Sequence, residues 1–439
     1  MNVERGNHIL TSSEGPSTSR IARDSFVVLI GAAGSMGLLF ITQILIGRFM
    51  GPTSFAIISL IISLAYIISD FADFGLKSTI VRDLSSILKH DSESAPDYIS
   101  TIFTLKVQIT GIATLLSPLA IYIAALTIFN DSFWFDAILY STIGITVGIF
   151  LTISWFLRAY FQSLKKFILY SGYSLVGNLV FFILVGLAFL SGLNESSLPF
   201  LLLVSYAIWL ATGLFLLKGR YKSGTKTSDF RKKILSFSKW IMASSVIVTI
   251  VNRMDQLIVA SFLPYEDVAM YSAAILIAQL IPLLTTSLST ALFPTVSEIK
   301  TKIGMNIYLR KTMAITIPVS ALLVFPVLLF PGPVSLFFGM DYVSANYLFP
   351  IMGIAFLIGL ATSPLSLIPL VVDRPDTLTY MNLIQLLMTL VLLPILILTL
   401  GLFGAALNVL FVRLLTPIYL VPLTYLIMKQ KIRMEPWKD

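Results

Sequence analysis

The chain has 439 residues, 57% of them hydrophobic and only 12% charged, with a formal net charge of +8 and a mean hydropathy of +0.91. An ordinary soluble domain carries about 25% charged residues, so this composition excludes a soluble enzyme and marks a polytopic membrane protein. Cysteine is absent and the two histidines, His8 and His90, sit in polar segments outside the spans, which excludes a disulfide framework, a thiolate metal site, a cysteine nucleophile and a histidine centre within the membrane.

The opening stretch MNVERGNHILTSSEGPSTSR is polar and lacks the basic start and apolar core of a signal peptide. It reads as a cytoplasmic tail. Apolar stretches of about 20 residues or more follow, each long enough at 1.5 Å per residue to cross roughly 30 Å of hydrocarbon. About twelve are predicted on that length criterion: 26–47, 54–74, 99–127, 134–157, 167–190, 198–217, 239–263, 268–292, 312–337, 346–372, 377–400 and 403–427. The third and tenth are long enough to require tilt, a kink or an interfacial turn.

Basic residues near span ends are retained on the cytoplasmic side. With the N-terminus inside, the internal loops hold Lys77, Arg82 and Lys89, then Arg158, Lys165 and Lys166, then LKGRYKSGTKTSDFRKK, then Lys300, Lys302, Arg310 and Lys311, and finally Arg374. Lys429, Lys431, Arg433 and Lys438 fall in the C-terminal tail, whereas the opposite loops offer Asp131, Glu195, Glu266, Asp267 and Asp341, with Arg48 as the only basic residue near that surface. Both termini are therefore expected in the cytoplasm. The net positive charge sets topology and does not point to nucleic acid, although the central basic run also suits contact with anionic lipid.

That basic run divides the chain. Residues 254–279, MDQLIVASFLPYEDVAMYSAAILIAQ, lie on residues 41–66, ITQILIGRFMGPTSFAIISLIISLAY, without a gap at an offset of 213, which pairs Gln43 with Gln256, Phe49 with Phe262, Ala56 with Ala269 and Ser59 with Ser272. Each copy is an apolar helix, a short proline-containing turn and a second apolar helix. The pattern predicts an all-α membrane protein with a polar tail at 1–23, a first bundle of about six helices at 24–217, a basic linker at 218–236, a second such bundle at 237–428 and a basic tail at 429–439. An even number of helices per half gives the copies the same orientation, so their pseudo-twofold axis runs along the membrane normal and the bundles enclose a cleft.

The run IGRFMGPTSFAIISL, followed by DFGLKSTIVRDL, and in the second half VNRMDQLIVASFL, AMYSAA and LFPTVSE, resembles the polysaccharide-biosynthesis branch of the multidrug/oligosaccharidyl-lipid/polysaccharide (MOP) exporter superfamily. Ala56 stands where that branch usually has glycine. The resemblance implies a MATE/MOP-like fold with a V-shaped central cavity in the cell membrane. It further implies a flippase that moves a polyprenyl-(di)phosphate-linked oligosaccharide to the outer leaflet by alternating access, alongside other membrane proteins of polysaccharide assembly. Such cargo keeps its tail in lipid but needs a wet, partly cationic route for its head group, because unpartnered polar groups in hydrocarbon cost several kcal/mol each.

Ionisable residues inside spans are functional candidates. Arg253 and Arg413, with Lys106 and Arg48 as contributors from the first half, are the candidates for a cationic cavity that receives the phosphate. Arginine suits this task through its persistent charge and its bidentate fork, although Arg48 and Lys106 lie close enough to span ends to snorkel. Asp255 is the candidate for coupling to H⁺ or Na⁺. Asp70, Asp73 and Lys77 follow at one-face spacing, so Asp73 and Lys77 are expected to pair four residues apart, as an interfacial anchor or as part of a gate, with Gly75 ending the helix. Arg253 and Asp255, two apart, each need a partner on another helix. No phosphate-cradling G-x-x-x-x-G-K-[ST] motif, cofactor motif or catalytic constellation is present, so neither an enzyme nor a cofactor is expected. Two alternatives stand beside the flippase: a cation-coupled drug antiporter of MATE type, which would favour acidic cavity residues, and a membrane polymerase or ligase of the same pathway, which would need a larger external loop.

Overall fold

The computed structural model describes residues 18–129, 132–218, 224, 228–286, 302–330, 332–371 and 376–428. Among the described residues there is no strand, and eleven helices are long and apolar enough to cross a membrane. The protein is thus a multi-pass, all-α membrane protein. The two tails' basic and polar signals before residue 18 and after residue 428, most of the central basic run, Asp131, Lys300, Arg374 and the motif LFPTVSE lie outside the described residues.

Helix α1 spans Thr18–Phe49 and α2 spans Gly51–Asp73. The break falls at Met50 and Gly51, and Pro52 opens α2 where its missing N–H costs nothing. Phe74 and Gly75 both take left-handed backbone angles, φ 53° and 73°, and turn the chain into α3, Leu76–His90. This segment is read from sequence as a loop. It is instead an amphipathic helix whose buried residues Leu76, Thr79, Ile80, Asp83 and Leu84 follow i, i+3, i+4, i+7, i+8 spacing. Its apolar stripe is narrow, so hydropathy alone gives no sign of it.

The first half continues through α4 (Ala95–Thr127), α5 (Trp134–Ser163), α6 (Phe167–Ser191) and α7 (Leu198–Leu217). Helix α1 is pinned along α6: Asn178 Nδ2 donates to the Ser35 carbonyl at 2.9 Å, and Gly31 sits so close to Ser171 that an added Cβ would meet it at 2.4 Å. The second half runs through α8 (Ser228–Phe262), α9 (Tyr265–Ala278), α10 (Lys302–Leu329), the short α11 (Pro333–Phe338), a 3₁₀ turn (Met340–Tyr347), α12 (Leu348–Ser366), α13 (Ile368–Val371) and α14 (Asp376–Met428). The predicted ninth span therefore stops at Leu329, and residues 333–338 form a separate helix behind Gly332, whose φ is 122°. α8 begins inside the predicted linker, and α1 inside the predicted tail. The 3₁₀ turn leads into the tenth predicted span, which is itself interrupted at Leu367; the third is one continuous helix around Pro118.

With 53 residues, α14 would extend about 80 Å at 1.5 Å per residue, far more than one crossing. Gly401, at φ 58° and ψ −139°, breaks it, and a Cβ added at Gly404 would collide with the Leu396 carbonyl. Gln385 Nε2 reaches Thr416 Oγ1 at 3.0 Å across the resulting hairpin. The last two predicted spans are the two arms of this hairpin.

The repeat's helix ends coincide, Phe49 closing α1 and Phe262 closing α8, and Ala56, Ala269, Ser59, Ser272, Gln43 and Gln256 are all buried. The halves do not behave alike, however. α8 lies antiparallel on α2 across the seam: Ser63 pairs with Gln256, Tyr66 with Arg253, Asp70 with Thr249, and Gly75 with Ser238 and Ile241. At the far end Phe55 packs on Phe338 with ring centroids 5.0 Å apart.

Gly75 is a test of that seam, because an added Cβ would lie 2.5 Å from the Ser238 carbonyl, whereas Gly51, also left-handed at φ 82°, faces open space. Gly51→Ala is expected to cost the backbone penalty of about 1–2 kcal/mol and Gly75→Ala clearly more, read as thermal unfolding of the purified protein. Equal effects would refute the close contact of α3 and α8.

Candidate functional site

The α2–α3 corner gathers the acidic candidates. Because α2 ends at Asp73 and the chain reverses through Phe74 and Gly75, the i, i+4 geometry assumed for Asp73 and Lys77 does not exist. Lys77 Nζ instead meets Asp70 Oδ1 at 2.5 Å, with Thr249 Oγ1 of α8 donating to the other oxygen of Asp70. Asp73 Oδ2 accepts the Lys77 backbone N–H at 3.2 Å, capping the first turn of α3. Its Oδ1 lies 3.1 Å from Lys106 Nζ.

Lys106 does not snorkel. It is 3% exposed, and its ammonium donates to Asp73, to Thr152 Oγ1 at 2.7 Å and to the Ala72 carbonyl at 3.4 Å. All three donors are used, so in this conformation Lys106 ties α2, α4 and α5 together and presents no free cation to a head group. Arg48, at the opposite end of α2, donates through Nη1 to the Leu336 and Phe337 carbonyls at 3.0 and 3.2 Å. A cation at those last carbonyls of α11 satisfies acceptors that have no partner within the helix. It thereby joins the first half to the second.

Arg253 and Asp255 diverge from α8 toward different helices. The Arg253 guanidinium stands 4.6 Å from the centre of the Tyr66 ring, which itself packs on Trp155 at 5.3 Å. Asp255 points into its own half, where Tyr271 Oη donates to Oδ2 at 2.6 Å and the Gln256 backbone N–H donates to Oδ1 at 2.8 Å. Beside it is a polar cavity of about 30 Å³, bordered by Asn252, Gln279, Thr389, Asn408 and Arg413. That volume holds a water molecule or two. Arg413 Nη2 donates to Asn252 Oδ1 at 3.2 Å and its guanidinium lies 5.0 Å from the Phe356 ring.

The structure thus brings Asp255 and Arg413 to one cavity, sets Arg253 on the seam, and keeps Lys106 and Arg48 apart from all three. Tyr66, Tyr271, Asn252 and Asn408 are absent from the sequence-based candidate set. The signal for Asn408 is a lone amide inside an apolar span; its Oδ1 is buried and has no hydrogen-bond partner.

Comparison with known proteins gives a consistent picture. The profile of a family described as polysaccharide biosynthesis protein matches residues 21–300. The probable low-salt glycan biosynthesis flippase Agl15 of Haloferax volcanii is 24% identical over 407 residues, covering 88% of this chain and 79% of its own. Among solved structures, the lipid II flippase MurJ in an inward closed conformation superposes with a TM-score of 0.67 at 16% identity, over 91% of this chain and 87% of MurJ. An inward-facing multidrug resistance MATE transporter of the MOP superfamily gives 0.70 at 13% identity, over 92% and 100%. These two likenesses fix the fold.

The Lys106–Asp73 pair yields a stability test. Removing one partner of a buried pair leaves an uncompensated charge and costs about 3–5 kcal/mol, so Lys106→Met alone is expected to lower unfolding stability by that order in detergent. Lys106→Met combined with Asp73→Asn should recover most of the loss. A single substitution as stable as the parent would mean the pair carries no such role.

Proposed function

This chain belongs to the polysaccharide biosynthesis protein family, and from that premise we propose that it is a flippase carrying a polyprenyl-(di)phosphate-linked oligosaccharide from the cytoplasmic to the outer leaflet, for surface polysaccharide or glycan assembly. The observation that carries the reading is Arg253: a guanidinium on the seam between the halves that lies over the Tyr66 ring and makes no ion pair among the described residues. A seam that opens toward one side at a time would offer this charge to a phosphate and leave the tail in lipid. The drug-antiporter reading rests on fold likeness alone, and no constellation in the chain suits a polymerase or ligase.

Roles follow from position. Arg253 and Arg413 receive the phosphate, with Lys106 and Arg48 reaching it only if their present contacts break. Asp255 exchanges a proton or holds Na⁺ in its small polar cavity, where the Asn408 carbonyl and Thr389 hydroxyl supply neutral oxygens. The Asp70–Lys77 pair and Asp73 form a gate with Thr249, because α8 cannot leave α2 without breaking that contact. In this reading the protein resides in the cytoplasmic membrane with both termini inside, as two six-helix units, and works with other membrane proteins of glycan assembly. It carries out no covalent chemistry.

The test is translocation of a lipid-linked oligosaccharide in reconstituted vesicles at matched protein levels. Arg253→Ala and Arg253→Gln, and the same changes at Arg413, should slow transport about tenfold or more, as loss of a charge-assisted contact of about 1.5–3 kcal/mol implies, with partial rescue by Lys. Asp255→Asn should abolish the response to an imposed H⁺ or Na⁺ gradient. Unchanged transport in every variant would overturn these assignments. Orientation has its own measurement: because the chain lacks cysteine, single cysteines at Thr225 and Thr301 should label only from the cytoplasm, and at Asn194 and Glu266 only from outside. Labelling of Thr225 from outside would invert the arrangement.

A further inference from the structure

Three basic residues that the sequence assigns to topology converge on one cavity. Lys77 and Arg82 from α3, Arg158 and Trp155 from α5, and Tyr170 from α6 line a space of about 530 Å³ at the Gly75 end of the first half. That size falls within the range of small-molecule sites, about 300–1,000 Å³. The lining carries three cations and no carboxylate. Two of the cations are matched from outside the lining, Lys77 by Asp70 and Arg82 by Asp83 at 2.6 Å. Arg158 makes no ion pair among the described residues; its Nε is buried without a hydrogen-bond partner, and its guanidinium lies 4.2 Å from the Tyr170 ring. Setting topology requires a positive charge beyond a span end, but not a buried guanidinium N–H held without an acceptor.

The cavity connects to the seam through stacked groups. Lys77 Nζ stands 4.8 Å from the Trp155 ring, Trp155 packs on Tyr66, and Tyr66 faces Arg253. Arg82 also stacks on Phe237 of α8 at 3.1 Å, so the second half holds one of the lining cations although the lining itself comes from the first half. Arginine forks suit a phosphate, whose oxygens accept two parallel N–H bonds.

We propose that the cavity formed by Lys77, Arg82 and Arg158 is a loading site for the phosphate or diphosphate of the lipid-linked sugar, occupied before the head group reaches Arg253. This rests on the flippase reading and names the first station of its route. The same chemistry would hold the phosphate of an ordinary anionic membrane lipid, and the experiment separates the two.

The measurement is equilibrium binding to the full-length protein in nanodiscs, using a short-chain polyprenyl diphosphate, the uncharged polyprenol of equal length, and phosphatidylglycerol as competitor. Arg158→Gln and Arg82→Gln are each expected to weaken diphosphate binding about tenfold, Arg158→Lys less, with polyprenol binding unchanged and phosphatidylglycerol a poor competitor. Because Arg82 is an exposed position and Arg158→Lys keeps the charge, a folding defect in Arg158→Gln would not account for the set. Wild-type affinity in both Gln variants would overturn the proposal, as would displacement by equimolar phosphatidylglycerol. If these variants bind and transport normally while Arg253→Gln does not transport, the loading site falls and the flippase stands. If the wild-type protein neither binds the diphosphate nor moves lipid-linked sugar, the flippase reading itself falls.

Discussion

A charge placed among hydrocarbon chains has no water to solvate it, so each ionisable group inside this bundle must find its partner within the protein or bear a large free-energy cost. The arrangement at the α2–α3 corner follows from that demand. Lys106 takes Asp73, Thr152 and a backbone carbonyl; Asp70 takes Lys77 and Thr249; Asp255 takes Tyr271 and a backbone N–H. Buried pairs of this kind are poor sources of net stability but strong enforcers of one geometry, since breaking one strands its partner. Here the geometry enforced is the junction of α2, α4 and α5, the frame against which α8 rests.

Two kinds of contact hold the halves together, and they differ in what it takes to part them. At the Arg48 end the seam is aromatic and backbone-directed: Phe55 on Phe338 and Tyr342, and Arg48 on the last carbonyls of α11. At the Gly75 end it combines close backbone approach with polar links, Gly75 against Ser238, Arg82 on Phe237 and Thr249 on Asp70. Polar links regain partners when water enters, whereas a closely packed apolar contact loses its burial outright. The polar links at the Gly75 end are therefore cheaper to open to an aqueous phase than the aromatic packing at the Arg48 end, although the close approach of Gly75 to Ser238 is lost with them.

Much of the fold was legible in the sequence, because hydropathy over a bilayer's thickness is a strong, local signal. The hairpin at Gly401 was foreseen as two spans even though its arms form one uninterrupted helical stretch apart from that residue. What escaped was set by chain reversals and by convergence. Asp73 and Lys77 have helical spacing, but the left-handed Phe74 and Gly75 place them on different helices and hand Lys77 to Asp70. α3 escaped because its stripe is too narrow for a hydropathy window. Arg158 and Arg82 looked like ordinary charges beyond span ends; their shared cavity depends on α3 folding back beside α5, which no residue count reveals.

α8 is the element these sites share, because its residues belong to different partners. Thr249, Arg253 and Gln256 address α2, while Asn252 and Asp255 address the second half's own cavity with Arg413. Any change at Asp255, such as gain of a proton or a cation, alters contacts within one turn of Arg253 and Gln256, two of the residues that hold α8 to α2. A ligand shifts a conformational equilibrium only by its difference in affinity for the two states, so coupling under the flippase reading requires that the cavity around Asp255 change shape when α8 leaves α2. The bond between Arg413 and Asn252 makes that requirement concrete: Asn252 sits next to Arg253 in the chain, so under the flippase reading a rotation of α8 large enough to part Arg253 from Tyr66 would also strain the bond from Arg413 to Asn252. In that reading the contacts of Arg253 and Arg413 are coupled through two consecutive residues of one helix.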